Sequence, residues 1–132
     1  MARYRTDLAR ARGLGAAKHG AGHWLTERIT SIALAPLSVW GVFAALRLAG
    51  SPDYGWAVDW VQQPVNAVLL MLLLFVSFVH MHAGMREIIE DYIERTLTKA
   101  VLLLINLAVC VLAGALALFS ILKIALGGVG VF

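Results

Sequence analysis

The sequence is poor in the residues that build a water-soluble domain. Only 14% of its 132 residues are charged, against about a quarter in an ordinary soluble domain. It has one cysteine and three prolines. A lone cysteine excludes an internal disulfide and the multi-cysteine spacing of a structural zinc site. Cys110 lies within an apolar run and reads as an inert packing residue. Nowhere are basic residues interleaved with aromatics on a polar face, so a nucleic-acid partner is not expected. No internal repeat is evident.

What the chain does have is apolar sequence, at 61% hydrophobic residues and a mean hydropathy of +0.81. Residues 29–46, 64–85 and 100–122 contain no Asp, Glu, Lys or Arg over 18, 22 and 23 positions. A helix needs about 20 such residues to cross a bilayer. The chain is therefore expected to be an all-α membrane protein with three transmembrane helices, near 25–49, 64–94 and 98–125. A flexible basic tail over 1–22 and a short tail over 127–132 flank this anchor. Three spans leave no length for a separate soluble domain, so an enzyme built on this chain takes its soluble parts from other subunits. A cleaved signal peptide fits poorly. The basic region runs nearly 28 residues, the apolar stretch after it is long enough to span, and no small-x-small site follows.

Charge sets the expected orientation. Arg3, Arg5, Arg10, Arg12, Lys18 and Arg28 precede or open the first span, and Arg86, Arg95 and Lys99 surround the second connection. The first connection carries Asp53 and Asp59 and no basic residue, and Arg47 and Lys123 are the only bases left for the opposite side. Nine against two places the N-terminus in the cytoplasm and the C-terminus in the periplasm. Trp56 and Trp60 then suit an outer aromatic belt, and Trp24 an inner one.

Local signals fill in the elements. GLGAAKHGAG is too glycine-rich for regular structure. Thr26 or Thr30 is a candidate to start the first helix, and Pro36 is a candidate kink. SPDYG, residues 51–55, reads as a turn. Pro64 suits the first turn of the second span, which the helical spacing of REIIEDYIE extends to about Glu94. The GGVG stretch, 127–130, ends the third, where AGALALFS offers small residues for close helix approach.

One stripe of the second span is polar. At about 100° per residue, Ser77, His80, Gly84, Glu87 and Asp91 share a face, His82 points nearly opposite His80, and Tyr92 lies about 120° round from it. An ionisable residue inside the membrane is a functional candidate, and neutral imidazole is a ligand for haem iron. Gly84, one turn from His80, removes a side chain where a flat macrocycle could lie. A histidine that simply hydrogen-bonds a neighbouring helix fits the pattern equally well. One helix cannot reach both faces of an iron, so a six-coordinate haem would take its second ligand from another chain. Asp91 and Tyr92 sit about 16 Å along the helix from His80, at the inner interface. A protonated phenol beside a carboxylate could donate to a quinone carbonyl and relay protons. From these residues alone, an interfacial tyrosine beside a solvated acid is the more economical reading.

Together, GAGHWLTERITSIAL (20–34) and HMHAGMREIIEDY (80–92) resemble the hydrophobic membrane-anchor family of succinate dehydrogenase. The resemblance spans about residues 20–125 and rests on Gly20-x-x-His23, Arg28, His80, Gly84, Asp91 and Tyr92 at the family's spacings. It implies the anchor of a succinate:ubiquinone oxidoreductase (respiratory complex II), part of a heteromeric helix bundle, in a bacterial inner membrane. The lack of a Ser/Arg-rich transit-like extension favours that over a mitochondrial inner membrane. It implies His80 as an axial ligand of haem b, shared with a histidine of a second membrane-anchor cytochrome b subunit. His23 and Arg28 become candidate haem-propionate contacts. Tyr92, with Asp91, would bind ubiquinone and help protonate it. FAD and iron–sulfur clusters would reside in a flavoprotein and an iron–sulfur subunit on the inner face, which pass on electrons from succinate. The chain alone would catalyse nothing. His82 departs from the pattern as a second histidine near the ligand position. The Arg-Pro-x-Ser-Pro-His opening of the cytochrome b anchor is absent. A quinol:fumarate reductase anchor and a non-redox three-helix scaffold remain as alternatives.

Overall fold

A span of 30 residues makes a helix about 45 Å long, longer than the roughly 30 Å hydrocarbon core of a bilayer. Its ends can therefore carry charge while its middle cannot. The computed structural model describes residues 6–8, 20–50 and 53–127. Among them run four helices: α1, Gly20–Ala49; α2, Tyr54–Gln62; α3, Pro64–Tyr92; and α4, Thr96–Ala125. Three of them, α1, α3 and α4, are long and apolar enough to cross a membrane. The C-terminal tail over 128–132 lies outside the described residues, as does the basic tail apart from residues 6–8 and 20–22.

The boundaries differ from the sequence reading in three places. First, α1 begins at Gly20, so neither Thr26 nor Thr30 caps it. Both hydroxyls instead donate back along the helix, Thr26 to the Gly22 carbonyl at 3.0 Å and Thr30 to that of Thr26 at 2.8 Å. Second, α3 stops at Tyr92 rather than Glu94, and Ile93 and Arg95 are extended. The good helix formers of IER give way because the chain must reverse direction there. Lys99 Nζ donates to the Glu90 carbonyl at 2.7 Å and satisfies one of the freed acceptors. Third, the connection read as turn and loop contains α2. Asp53 caps it, its Oδ1 accepting from Trp56 N at 2.8 Å. Pro64 stands at the start of α3, where its missing N–H costs nothing. At the far end Gly127, with φ of 78°, takes the left-handed conformation that closes α4.

Helix α3 is the centre of the arrangement. It packs against α1 on one side and α4 on the other, and α2 lies across the ends of α3 and α4. Trp40 of α1 stacks on Trp60 of α2, with ring centroids 6.1 Å apart. Small residues line much of the seams. Ala44, Ala67, Ala83 and Cys110 are buried. A Cβ on Gly41 would come within 2.7 Å of Leu73 Cδ2, and one on Gly114 within 3.3 Å of the Phe78 ring. Large side chains point outward instead, Leu116 and Phe119 being 67% and 63% exposed. Small residues inside and large apolar ones outside is the arrangement expected in lipid, where burial of leucine against leucine has no hydrophobic drive. This is a membrane protein.

Candidate functional site

The two histidines of HMH are separated by the helix itself. His80 faces α1, where its Nδ1 lies 3.0 Å from Thr30 Oγ1. His82 faces α4, where Asn106 Nδ2 donates to the His82 carbonyl at 3.0 Å and lies 3.1 Å from His82 Nδ1. Asn106 is buried, and its Oδ1 accepts from Cys110 Sγ at 3.4 Å. A lone amide in a charge-free run is expensive unless paired, and His82 is its partner. His82 thus has a structural duty that ties α3 to α4.

His80 is half-buried, and its Nε2 makes no hydrogen bond among the described residues. No buried side-chain nitrogen or oxygen lacks a partner among those residues, so Nε2 is not sealed inside the chain. It reaches the outer surface of the helix row with a position to offer. The glycine one turn on behaves differently from Gly41 and Gly114, the glycines of the helix seams. A Cβ at Gly84 would meet nothing within 4 Å. Packing within the chain explains Gly41 and Gly114 and does not explain Gly84. Its missing side chain leaves room on the chain's exterior.

Toward its C-terminal end α3 turns polar. Arg86 Nε pairs with Glu90 Oε1 at 2.6 Å, both side chains nearly half exposed, which stabilises the helix by only a few tenths of a kcal/mol. Asp91 is exposed and Tyr92 is 80% exposed. Neither side chain makes a hydrogen bond or ion pair among the described residues, so both are available to something outside the chain.

Arg28 lies on α1 two residues before Thr30. Its guanidinium sits 5.5 Å from the centroid of the Trp24 ring, a cation–π contact. The side chain of His23 lies outside the described residues, although its backbone is in the first turn of α1. The structure therefore brings Thr30 to His80 and sets Arg28 on the same stretch of α1, and it leaves Asp91 and Tyr92 at the exposed helix end. Two residues of this region do not stand out in the sequence as partners of the histidines. Thr30 reads there only as a cap. Asn106 offers one signal, a single amide within 23 uncharged positions.

Comparison with known proteins gives a consistent result. The sequence pattern of the succinate dehydrogenase/fumarate reductase transmembrane subunit family matches residues 2–119. A succinate dehydrogenase hydrophobic membrane anchor subunit of Rickettsia conorii is 33% identical over 82% of this chain and 86% of its own. Its counterpart in Rickettsia bellii is 33% identical over 98% of this chain and 94% of its own. A protein of the same description from Paracoccus denitrificans is 28% identical over 76% of this chain and 78% of its own.

Proposed function

The chain belongs to the succinate dehydrogenase/fumarate reductase transmembrane subunit family, and on that premise we propose that it anchors a succinate:ubiquinone oxidoreductase in a bacterial inner membrane and helps to bind haem b and quinone. The observation that carries this reading is the pairing of His80 with Gly84: an imidazole whose Nε2 has no partner among the described residues, beside a glycine that nothing in the chain requires. These residues fit the group. Haem, when bound, supplies one-electron redox chemistry inside the membrane. His80 would hold the iron through Nε2. His82 lies on the far side of α3 and engages Asn106, so any further protein ligand would come from the other membrane-anchor subunit. Arg28 would supply a cation for the haem propionates, and His23 would be a second candidate for that contact.

Tyr92 and Asp91 would act at the inner interface. The phenol O–H would donate a hydrogen bond to a quinone carbonyl oxygen. That bond strengthens as negative charge develops on the oxygen. Asp91, next in sequence, would orient the phenol or deliver a proton. Electrons would arrive from FAD and iron–sulfur clusters held in the flavoprotein and iron–sulfur subunits, docked on the inner face beside the basic tail and the 93–95 connection. The names of the three relatives favour succinate oxidation over fumarate reduction.

The test is a pair of variants in the assembled complex. His80→Ala is expected to abolish the native low-spin b-type haem spectrum, and His82→Ala to keep it while loosening α3 from α4. A native haem spectrum in His80→Ala would overturn the ligand assignment.

A further inference from the structure

Thr30 does more than touch His80; its protons can be counted. Its hydroxyl oxygen lies 2.8 Å from the Thr26 carbonyl oxygen, 3.1 Å from the Glu27 carbonyl oxygen and 3.0 Å from His80 Nδ1. A carbonyl only accepts. Two oxygens at 2.8 Å repel unless a proton lies between them, and the threonine has the only one. That proton is therefore directed back along α1, and the hydroxyl has lone pairs but no proton left for His80. The 3.0 Å contact then requires His80 to be the donor. In the neutral ring the proton then sits on Nδ1 and the lone pair on Nε2.

His82 has the reverse arrangement. Asn106 Nδ2 must be the amide nitrogen, because it donates to the His82 carbonyl, and its second N–H meets His82 Nδ1. Nδ1 of His82 is thus an acceptor, and Nε2 carries the proton. Two histidines two residues apart hold opposite tautomers, and only His80 presents an unprotonated Nε2.

We propose that Thr30 is a positioning residue for the His80 ligand: its hydroxyl accepts the Nδ1 proton, fixes the tautomer that frees Nε2 for iron, and sets the ring's orientation from α1. This deepens the reading of His80 as a haem ligand and rests on it. A hydrogen bond accepted from the far nitrogen also makes an imidazole a more basic ligand, and partners of this kind typically contribute about 10- to 100-fold to metal affinity. Greater basicity favours ferric over ferrous iron, so Thr30 lowers the haem potential. Thr30 is buried, which shields the bond from competition by water.

The experiment uses the whole complex, purified with Thr30→Val, Thr30→Ser and His80→Ala in turn. Haem content, low-spin electron paramagnetic resonance and a potentiometric titration are read for each. Thr30→Val keeps the shape and removes the acceptor. It is expected to shift the haem midpoint potential positive, to move the g values, and to weaken haem retention about 10-fold or more. Thr30→Ser is expected to restore all three. Should Thr30→Val fail to assemble, Thr30→Ala removes the same hydroxyl with less bulk and is read in the same way. An unchanged potential and unchanged g values in the variant lacking the hydroxyl would overturn the role of Thr30, and if His80→Ala still loses its haem the ligand reading stands. Native haem in His80→Ala would instead overturn the ligand reading, and the Thr30 proposal with it.

Discussion

At the scale of single residues, the chemistry is divided along α3. His80 and His82 are separable in the sequence because about 200° of helical rotation puts them on opposite faces. Their partners are not, because nothing in a one-dimensional pattern says which residue of α1 meets His80 at a given depth. Thr30 resembles a cap in sequence for a related reason: threonine serves equally at a helix start and, inside a helix, bonded to the carbonyl four residues back. Only the position of Gly20 at the head of α1 decides between them. Tyr92 and Asp91 stand differently, since the sequence sets them at an interface and the fold leaves them exposed. The quinone role predicts that Tyr92→Phe in the assembled complex lowers succinate-driven quinone reduction on the order of 10- to 100-fold, the worth of a hydrogen bond to a charged oxygen. Haem content and succinate oxidation by an artificial acceptor should be unaffected. Unimpaired quinone reduction would remove Tyr92 from the site.

At the scale of elements, the three long helices are legible because charge-free runs of sufficient length have few other uses. The short α2 is not, because SPDYG reads as a turn and the acidic, tryptophan-bearing stretch after it has no apolar run. Asp53 three residues before Trp56, with Val58 and Val61 spaced on one face, is the signal it offers. The glycines separate two kinds of constraint on the helices. Gly114 faces Phe78 across the α3–α4 seam, while Gly84 faces open space. Gly114→Leu should therefore overpack the seam, at about 1–3 kcal/mol, and lower the amount of chain in the membrane. Gly84→Leu should leave that amount unchanged and diminish the haem signal. Quantitative blotting beside a haem spectrum measures both. Equal loss of protein from the two variants would mean that Gly84 is a packing residue.

At the scale of the whole molecule, the chain is an incomplete layer. Among the described residues α1 and α4 both pack on α3 and do not close a bundle on each other. The Nε2 of His80, the clearance at Gly84 and the exposed Asp91 and Tyr92 are where the proposed haem and quinone would meet the chain. By the positive-inside rule, nine basic residues against two predict the direction in which that layer crosses the bilayer. Single cysteines added near either terminus in a Cys110→Ser background test it. An impermeant maleimide should label the C-terminal site in spheroplasts and the N-terminal site only after lysis; the reverse labelling would invert the topology and put Tyr92 on the wrong side for the soluble subunits. The central claim is that this chain carries haem in line with succinate. Its most direct test is a succinate-reduced minus oxidised optical spectrum of the complex purified through a tag on this chain. A b-type haem signal elicited by succinate is the predicted result. An intact preparation showing no haem with either succinate or dithionite would contradict the account and leave His80 as a packing residue bonded to Thr30.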